Sequence, residues 1–223
     1  EISECLVGSE MCIRDSYGMV IDTKKCIGCH VCAMACKTEN NLPNDVWWNR
    51  IFTDNGGEMG FDMVGGSYPD NLQFGYIPVA CQHCENPACV KVCPVGATYK
   101  DPETGVVRQD YDKCIGCRMC MSACPYNGVR SFNWEEPVFH MDYAMGSKDA
   151  PEHQQHVVEK CTFCYHRTSQ GIEPACMHLC VGRARFWGDL DDPTSEVSRL
   201  LAERSHKRLL EDRGTEPSTY YLV

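Results

Sequence analysis

No stretch of the chain holds 18 or more consecutive apolar residues, so no α-helix long enough to cross a bilayer is expected. A mean hydropathy of −0.37 agrees. If the protein works at a membrane, it docks there on another subunit. Positive charge is also scarce. Lys and Arg number 21 against 31 Asp and Glu, a net charge of −10, and no basic stripe offers a footprint for nucleic acid. The chain has no nucleophile elbow, no phosphate loop and no dinucleotide fingerprint, so no catalytic constellation stands out. Residues Glu1 to Ser16 have neither a twin-arginine motif nor the apolar core of an export signal. That stretch, with Leu-Val-Gly-Ser-Glu-Met-Cys-Ile-Arg-Asp from Leu6 to Asp15, reads as adapter-derived and non-native. The native start is expected near Tyr17, or a true leader has been lost; Cys5 and Cys12 receive no ligand role.

What the chain has in excess is cysteine. Sixteen of its 18 cysteines form four groups. They are Cys26, Cys29, Cys32 and Cys36; Cys81, Cys84, Cys89 and Cys93; Cys114, Cys117, Cys120 and Cys124; and Cys161, Cys164, Cys176 and Cys180. Groups one and three read C-x2-C-x2-C-x3-C, the run by which bacterial two-cluster ferredoxins hold 4Fe-4S cubes. Three cysteines two residues apart wrap a loop around one cube, and a fourth, carried off on a helical turn, reaches a second cube. Pro94 and Pro125 complete the C-P ending in groups two and three, whereas Lys37 and Val181 follow the fourth cysteine in groups one and four. That departure leaves the thiolates in place and affects only the local turn.

Two other uses of cysteine fit poorly. Structural zinc closes one tetrahedron from two C-x2-C pairs and would leave cysteines over. Disulfide frameworks suit short secreted chains with little core, and four near neighbours in sequence are poor disulfide geometry. An internal repeat strengthens the cluster reading. Asp22-Thr23-Lys24-Lys25-Cys26-Ile27-Gly28-Cys29 recurs as Asp110-Tyr111-Asp112-Lys113-Cys114-Ile115-Gly116-Cys117, and Pro87-Ala88-Cys89 as Pro174-Ala175-Cys176. The expected fold is α+β: a duplicated two-cluster ferredoxin-like fold with short strands and helices around four iron–sulfur clusters. Half-repeats span about 17–100 and 101–190, an insertion covers about 40–78, and 191–223 form a C-terminal helix and tail.

Local patterns place the elements. Tyr17, Met19 and Ile21 alternate in a short strand from Tyr17 to Asp22. A helical turn follows at Ala33–Thr38. The insertion, Asn40 to Pro78, reads as hairpin-like, its aromatics Trp47, Trp48, Phe52, Phe61 and Phe74 more often core filling than electron relays. The turn Asp101–Gly105 precedes a strand over Val106–Asp110, and Val129–Trp134 forms another. The residues between Cys164 and Cys176 should protrude. A helix starts near Thr194 and Ser195 with Val197, Leu200 and Leu201 on one face, Gly214 and Pro217 end any helix, and Tyr220, Tyr221 and Leu222 form a tail able to pack or dock. Gly28 and Gly116 sit in ligand loops where a side chain would crowd the cube and left-handed dihedrals are expected. Lys25, Lys113 and Lys160 each precede a group and either raise a cluster potential or are plain surface lysines. His140, His153 and His156 read as solvated loop histidines, and His30, His83 and His178 as ordinary loop histidines.

From Tyr17 onward the chain resembles the iron–sulfur subunits of the dimethyl sulfoxide reductase superfamily. The segments that carry the likeness are Cys26 to Cys36, Val79 to Cys84, Pro87-Ala88-Cys89, Cys114 to Pro125 with Arg130-Ser131-Phe132-Asn133-Trp134, Cys161 to Arg167, Pro174-Ala175-Cys176, and Gly188-Asp189-Leu190 with Asp192-Pro193. All sixteen grouped cysteines match. The resemblance implies an electron-transfer subunit without a catalytic site of its own. It would relay electrons, in anaerobic respiration, between a membrane subunit that handles quinol and a molybdopterin catalytic subunit, which sets the substrate. It implies a peripheral, membrane-associated place in a bacterium or archaeon. Family pairing would join groups one and four, and two and three. Cys26, Cys29, Cys32 and Cys180 would hold one cube, and Cys161, Cys164, Cys176 and Cys36 its neighbour. Cys81, Cys84, Cys89 and Cys124 would hold a third, and Cys114, Cys117, Cys120 and Cys93 the fourth. Spacing alone leaves open the pairing of one with two and three with four. Some relatives replace a group-three cysteine and hold a 3Fe-4S cluster; here Cys117 and its group are complete, so four 4Fe-4S clusters are expected. Relatives of the formate dehydrogenase type have a C-terminal membrane helix, and no such helix precedes Val223. The alternatives are a stand-alone soluble ferredoxin-like carrier, the electron-transfer protein of a quinol-linked nitrite reductase, and a zinc-stabilised interaction scaffold.

Overall fold

The alternation at the start of the chain produces the central strand of the largest sheet. In the computed structural model, which describes residues 16–53, 64–67, 73–126 and 128–223, β1 spans Tyr17–Asp22. Residues 1–15, with Cys5 and Cys12, lie outside the described residues, as do Phe61 and the side chain of Phe74. β1 pairs antiparallel with β10 (Arg185–Asp189) and parallel with β12 (Thr219–Leu222), and β11 (His206–Lys207) closes the order β10-β1-β12-β11. Both faces of β1 are covered, as its near-continuous apolar run requires of a central strand. Met19 packs with Cys32, Phe163, Cys176 and Met177 on the cysteine side. Val20 packs with Val197 and Leu222 on the other side, where α6 (Glu196–Glu203) lies. Successive strand residues point to opposite faces, so one strand walls off the cysteine layer and seats the C-terminal helix.

The remaining elements are short. α1 (Val31–Glu39) carries Cys32 and Cys36 of group one, and β2 (Asn49–Phe52) pairs with β5 (Ile77–Ala80) across the insertion, which also holds the pair β3 (Val64–Gly65) and β4 (Gln73–Phe74). The insertion is thus hairpin-like. Trp48 is buried beside Cys36, Cys81 and Cys161, which fits core filling. α2 (Ala88–Lys91) leads to hairpin β6 (Thr98–Lys100) and β7 (Val107–Gln109), and α3 (Met119–Ser122) leads to the pair β8 (Arg130–Phe132) and β9 (Val158–Lys160). The β6–β7 turn is held by Asp101, whose Oδ1 accepts from the backbone of Glu103 (3.0 Å) and Thr104 (3.4 Å), and by Gly105 at φ 69°. α4 (Tyr165–Thr168) and α5 (Ala175–His178) complete group four. Of the segment between them only the tip, Ser169 to Ile172, is exposed; Thr168 and Pro174 are buried. Helices and separate small antiparallel pairs of this kind make an α+β fold.

Proline explains two helix lengths. α2 and α3 each have four residues and stop just before Cys93-Pro94 and Cys124-Pro125, because the residue before proline avoids the helical region. Lys37 replaces proline after Cys36, and α1 runs on to nine residues. Lys37 then curls back, its Nζ donating to the carbonyls of Pro43 (2.7 Å), Asn44 (2.9 Å) and Val46 (3.1 Å), and so fixes the start of the insertion.

Candidate metal centres

Each cysteine group is shaped by left-handed backbone. Gly28 (φ 67°) and His30 (φ 60°) bend group one, and Gly116 (φ 67°) and Arg118 (φ 59°) bend group three at the same offsets. His83 (φ 44°) bends group two, and Phe163 (φ 62°) and Cys164 (φ 48°) bend group four. Non-glycine residues rarely adopt this region, and such strain gathers at functional sites. The glycines are required as the sequence suggests, but the nearest crowding comes from protein. A Cβ at Gly28 would lie 2.4 Å from the Tyr76 ring, and one at Gly116 would lie 2.5 Å from the His156 carbonyl oxygen.

The fold sets group one beside group four and group two beside group three. α1, with Cys32 and Cys36, packs on α5, with Cys176; α2, with Cys89, packs on α3, with Cys120. Glu39 of α1 locks the first junction by accepting from Arg167 Nη1 (3.2 Å) and His166 Nε2 (3.0 Å) of α4. Two small spaces lie between groups one and four. One is lined by Cys36, Cys161, Cys164 and Cys176. The other is lined by Cys26, Cys29, Cys32 and Cys180. Each draws three cysteines from one group and the fourth from the other. Cys84 and Cys124 pack against one apolar cluster, and Cys89 and Cys120 share another. Cys36, Cys81 and Cys161 meet in a common cluster, so groups one and four adjoin group two there.

Burial governs the thiols. It pushes Cys161 up to about 12, helped by the negative charge of Cys81 and Cys176, and pushes Cys84 to about 11 and Cys124 to about 12, with Cys81 again adding to the rise. The Cys36 thiol is raised strongly, first by burial and then by Cys161, Cys164 and Cys176, its companions around the first of these spaces. Cys81 runs the other way. Burial acts to raise it, but His83, Lys160 and Arg130 outweigh burial and hold it well below the ordinary thiol range. Burial also lowers the His83 imidazole towards its neutral form.

Several sequence expectations change here. Lys25 and Lys113 are exposed, but Lys160 is no surface lysine. It is 1% exposed, and its Nζ donates to the carbonyls of Val107 and Cys161. His83 is likewise fully buried, against the Phe163 ring, rather than an ordinary loop histidine. His30 and His178 are exposed. His140 and His156 are solvent-exposed as expected, whereas the His153 side chain is 2% exposed and clamped between Glu159 and the Asn40 carbonyl. The segment is polar enough to read as a loop, and only its tertiary packing buries that one ring.

Sequence patterns do not reveal two buried arginines. Arg185 on β10 is 4% exposed and lines both cysteine-walled spaces. Its Nη1 donates to Asn49 Oδ1 (3.3 Å), but Nε and Nη2 make no hydrogen bond of normal geometry. Arg130 on β8 is 5% exposed; Nη1 donates to Gln109 Oε1 (3.4 Å) and Nη2 is unpartnered. A lone arginine in a short strand gives no spacing signal, so pattern reading could not find either.

Among the described residues, all sixteen grouped cysteines are free thiols, and no three Cys, His, Asp or Glu side chains converge on a single ion. A zinc tetrahedron needs four donors about 2.0–2.3 Å from one point, and no such grouping is found among the described residues. Residues 72–141 and 146–190 match the 4Fe-4S dicluster domain, and residues 19–39 match the 4Fe-4S binding domain. The chain is 51% identical to a protein assigned as a dimethyl sulfoxide reductase iron–sulfur subunit in Halobacterium salinarum, across 93% of this chain and 79% of that one. The chain belongs to the iron–sulfur subunits of the dimethyl sulfoxide reductase family. This iron–sulfur subunit is also 42% identical to a selenate reductase subunit of Mesobacillus selenatarsenatis, across 92% of this chain and 71% of that one. Its identity to the arsenate respiratory reductase iron–sulfur subunit of Shewanella sp. is 38%, across 92% and 95%. As a member of this family, the subunit transfers electrons for a reductase; substrate chemistry belongs to other subunits. Its residues fit 4Fe-4S groups. Thiols supply the ligands, and buried guanidinium N–H groups without protein acceptors suit an anionic occupant.

Proposed function

We propose that the subunit holds four 4Fe-4S clusters in a line and relays electrons between a quinol-handling membrane subunit and a molybdopterin catalytic subunit. It would do so as a peripheral membrane-associated protein built on a duplicated two-cluster ferredoxin plan. Bound 4Fe-4S clusters supply one-electron storage at potentials set by charge, hydrogen bonding and exposure. Cys26, Cys29, Cys32 and Cys180 would hold the first, and Cys161, Cys164, Cys176 and Cys36 the second. Cys81, Cys84, Cys89 and Cys124 would hold the third, and Cys114, Cys117, Cys120 and Cys93 the fourth. The observation that carries this reading is the pair of spaces between groups one and four, each walled by three cysteines of one group and one of the other.

Other features support it. Cys161 and Cys81 lie close enough to share a core cluster, which makes the second and third sites neighbours. The outer sites each present one exposed cysteine, Cys29 and Cys117, beside an exposed isoleucine, Ile27 (60%) and Ile115 (63%). An apolar rim around an exposed ligand suits docking to a partner at each end of the line.

The test is anaerobic purification of the full chain with iron and sulfide counts, followed by Cys180→Ser. About 16 irons and as many sulfides are expected for four cubes. Cys180→Ser should damage the site of Cys26, Cys29 and Cys32 and spare the third and fourth sites. Zinc without sulfide would end the electron-transfer reading, and loss of the group-three cluster in Cys180→Ser would end the pairing.

A further inference from the structure

We infer that Arg185 and Arg130 are dedicated charge-compensating residues, one buried guanidinium for each pair of clusters, which raise the reduction potentials of the two clusters they sit between. The inference rests on the four-cluster reading.

The argument begins with the cost of burial. A guanidinium removed from water loses several kcal/mol of solvation unless a nearby anion and hydrogen-bond acceptors replace it. Arg185 is buried, yet Nε and Nη2 have no acceptor of normal geometry; Asn49, which accepts from Nη1, is neutral, and its other side-chain contact is the Cys32 sulfur. Its place explains what the charge answers to. Arg185 is the arginine that lines both spaces between groups one and four, with Cys26 and Cys32 on one side and Cys36 and Cys176 on the other. Arg130 repeats the arrangement in the other half. It too is buried, its partner Gln109 is neutral, and Nη2 is unpartnered. It stands on β8 between Val129, which shares an apolar cluster with Cys84 and Cys124, and Phe132, which packs against the cluster of Cys89 and Cys120, so groups two and three flank it.

The consequence is electrostatic. Adding one electron to a thiolate-ligated cube adds one negative charge, and a second cube close by makes that addition harder. A fixed cation between the two favours the reduced form of each and weakens their mutual repulsion. Arginine stays protonated throughout, so the step moves an electron without moving a proton. Solvent screens such a charge little at a buried site, in contrast to the exposed Lys25 and Lys113.

The experiment is an EPR-monitored redox titration of the anaerobically prepared full chain carrying its clusters. Arg185→Gln should lower two of the four midpoint potentials, and Arg130→Gln should lower the other two. The expected fall is about tenfold in the reduced-to-oxidised ratio at fixed potential, about 59 mV for a one-electron couple. Arg185→Lys and Arg130→Lys keep the charge and should titrate near wild type. Midpoints that ignore both Gln variants, or that move together in both, would overturn the inference. So would Lys variants that fall as far as the Gln variants. If a Gln variant fails to retain its irons, the matching Lys variant decides: full loading with near-wild-type midpoints supports a role for charge, and failed loading refutes it. Wild-type protein without four clusters would instead sink the four-cluster reading, so the two failures are distinct.

Discussion

Both ring nitrogens of His153 face acceptors: Nδ1 lies 2.8 Å from the Glu159 carboxylate oxygens, and Nε2 lies 2.9 Å from the Asn40 carbonyl. A neutral imidazole has one N–H, so only the imidazolium can donate to both sides. Burial acts to lower the His153 pKa, but Glu159 and the Asn40 carbonyl overcome it and raise the group above its ordinary value. The sign of the pH effect follows. A raised folded pKa gives stability that is fully present below the unfolded value of about 6.5 and is lost as pH climbs through the folded value. Wild type should therefore exceed His153→Gln in thermal stability by about 2 kcal/mol near pH 6. That margin should shrink towards pH 9, read as the difference between the two melting curves across pH. A margin that grows with pH would contradict the imidazolium. Sequence could not supply this residue's role, because its two partners lie six and 113 positions away. Arg185 and Arg130 escaped for the same reason: what makes a cation functional here is the set of thiols that tertiary packing gathers round it.

Elements were more legible. The cysteine spacing, the C-P endings and the glycines located the loops, and the structure bends them through left-handed residues at the expected Gly28 and Gly116. His30, Arg118 and Phe163 adopt the same region without being glycine, which no composition rule would suggest. Tyr17–Asp22 forms a strand over the expected bounds, its apolar run covered on both faces by the sheet's neighbours. The strand expected at Val106–Asp110 is shortened to Val107–Gln109, where pairing to β6 ends. α6 begins near Ser195, where a helix start was expected. Ser195 Oγ accepts from the Ser198 backbone N–H (3.2 Å) and donates to the Asp189 carbonyl (2.6 Å), tying the helix to β10. Ser195→Ala should cost about 1 kcal/mol in denaturant unfolding. Iron content should stay unchanged, since α6 packs on the face of β1 opposite the cysteines; loss of iron would show that the two faces are coupled.

Across the whole molecule, the proposed line of sites runs from the exposed Cys29 to the exposed Cys117, with the buried Cys81 and Cys161 between them. Ends that meet water and a middle that does not suit a conductor whose contacts are made by partner subunits. Ile115→Glu at one rim should keep the full iron count and all four midpoints. It should weaken capture of one partner subunit about tenfold, some 1.4 kcal/mol, measured by affinity pull-down of the assembled complex. Unchanged capture would move the docking face elsewhere. By itself the sequence determined that cysteine groups with cubane spacing exist, that they recur, and that loops and short elements surround them, since spacing and periodicity are local properties of a chain. Only the tertiary structure decided which groups stand together, that Lys160, His83 and His153 are buried, that the C-terminal tail becomes a strand beside β1, and that a guanidinium sits within each paired set. Those outcomes depend on which surfaces exclude water from one another, and that choice is made between residues far apart along the chain.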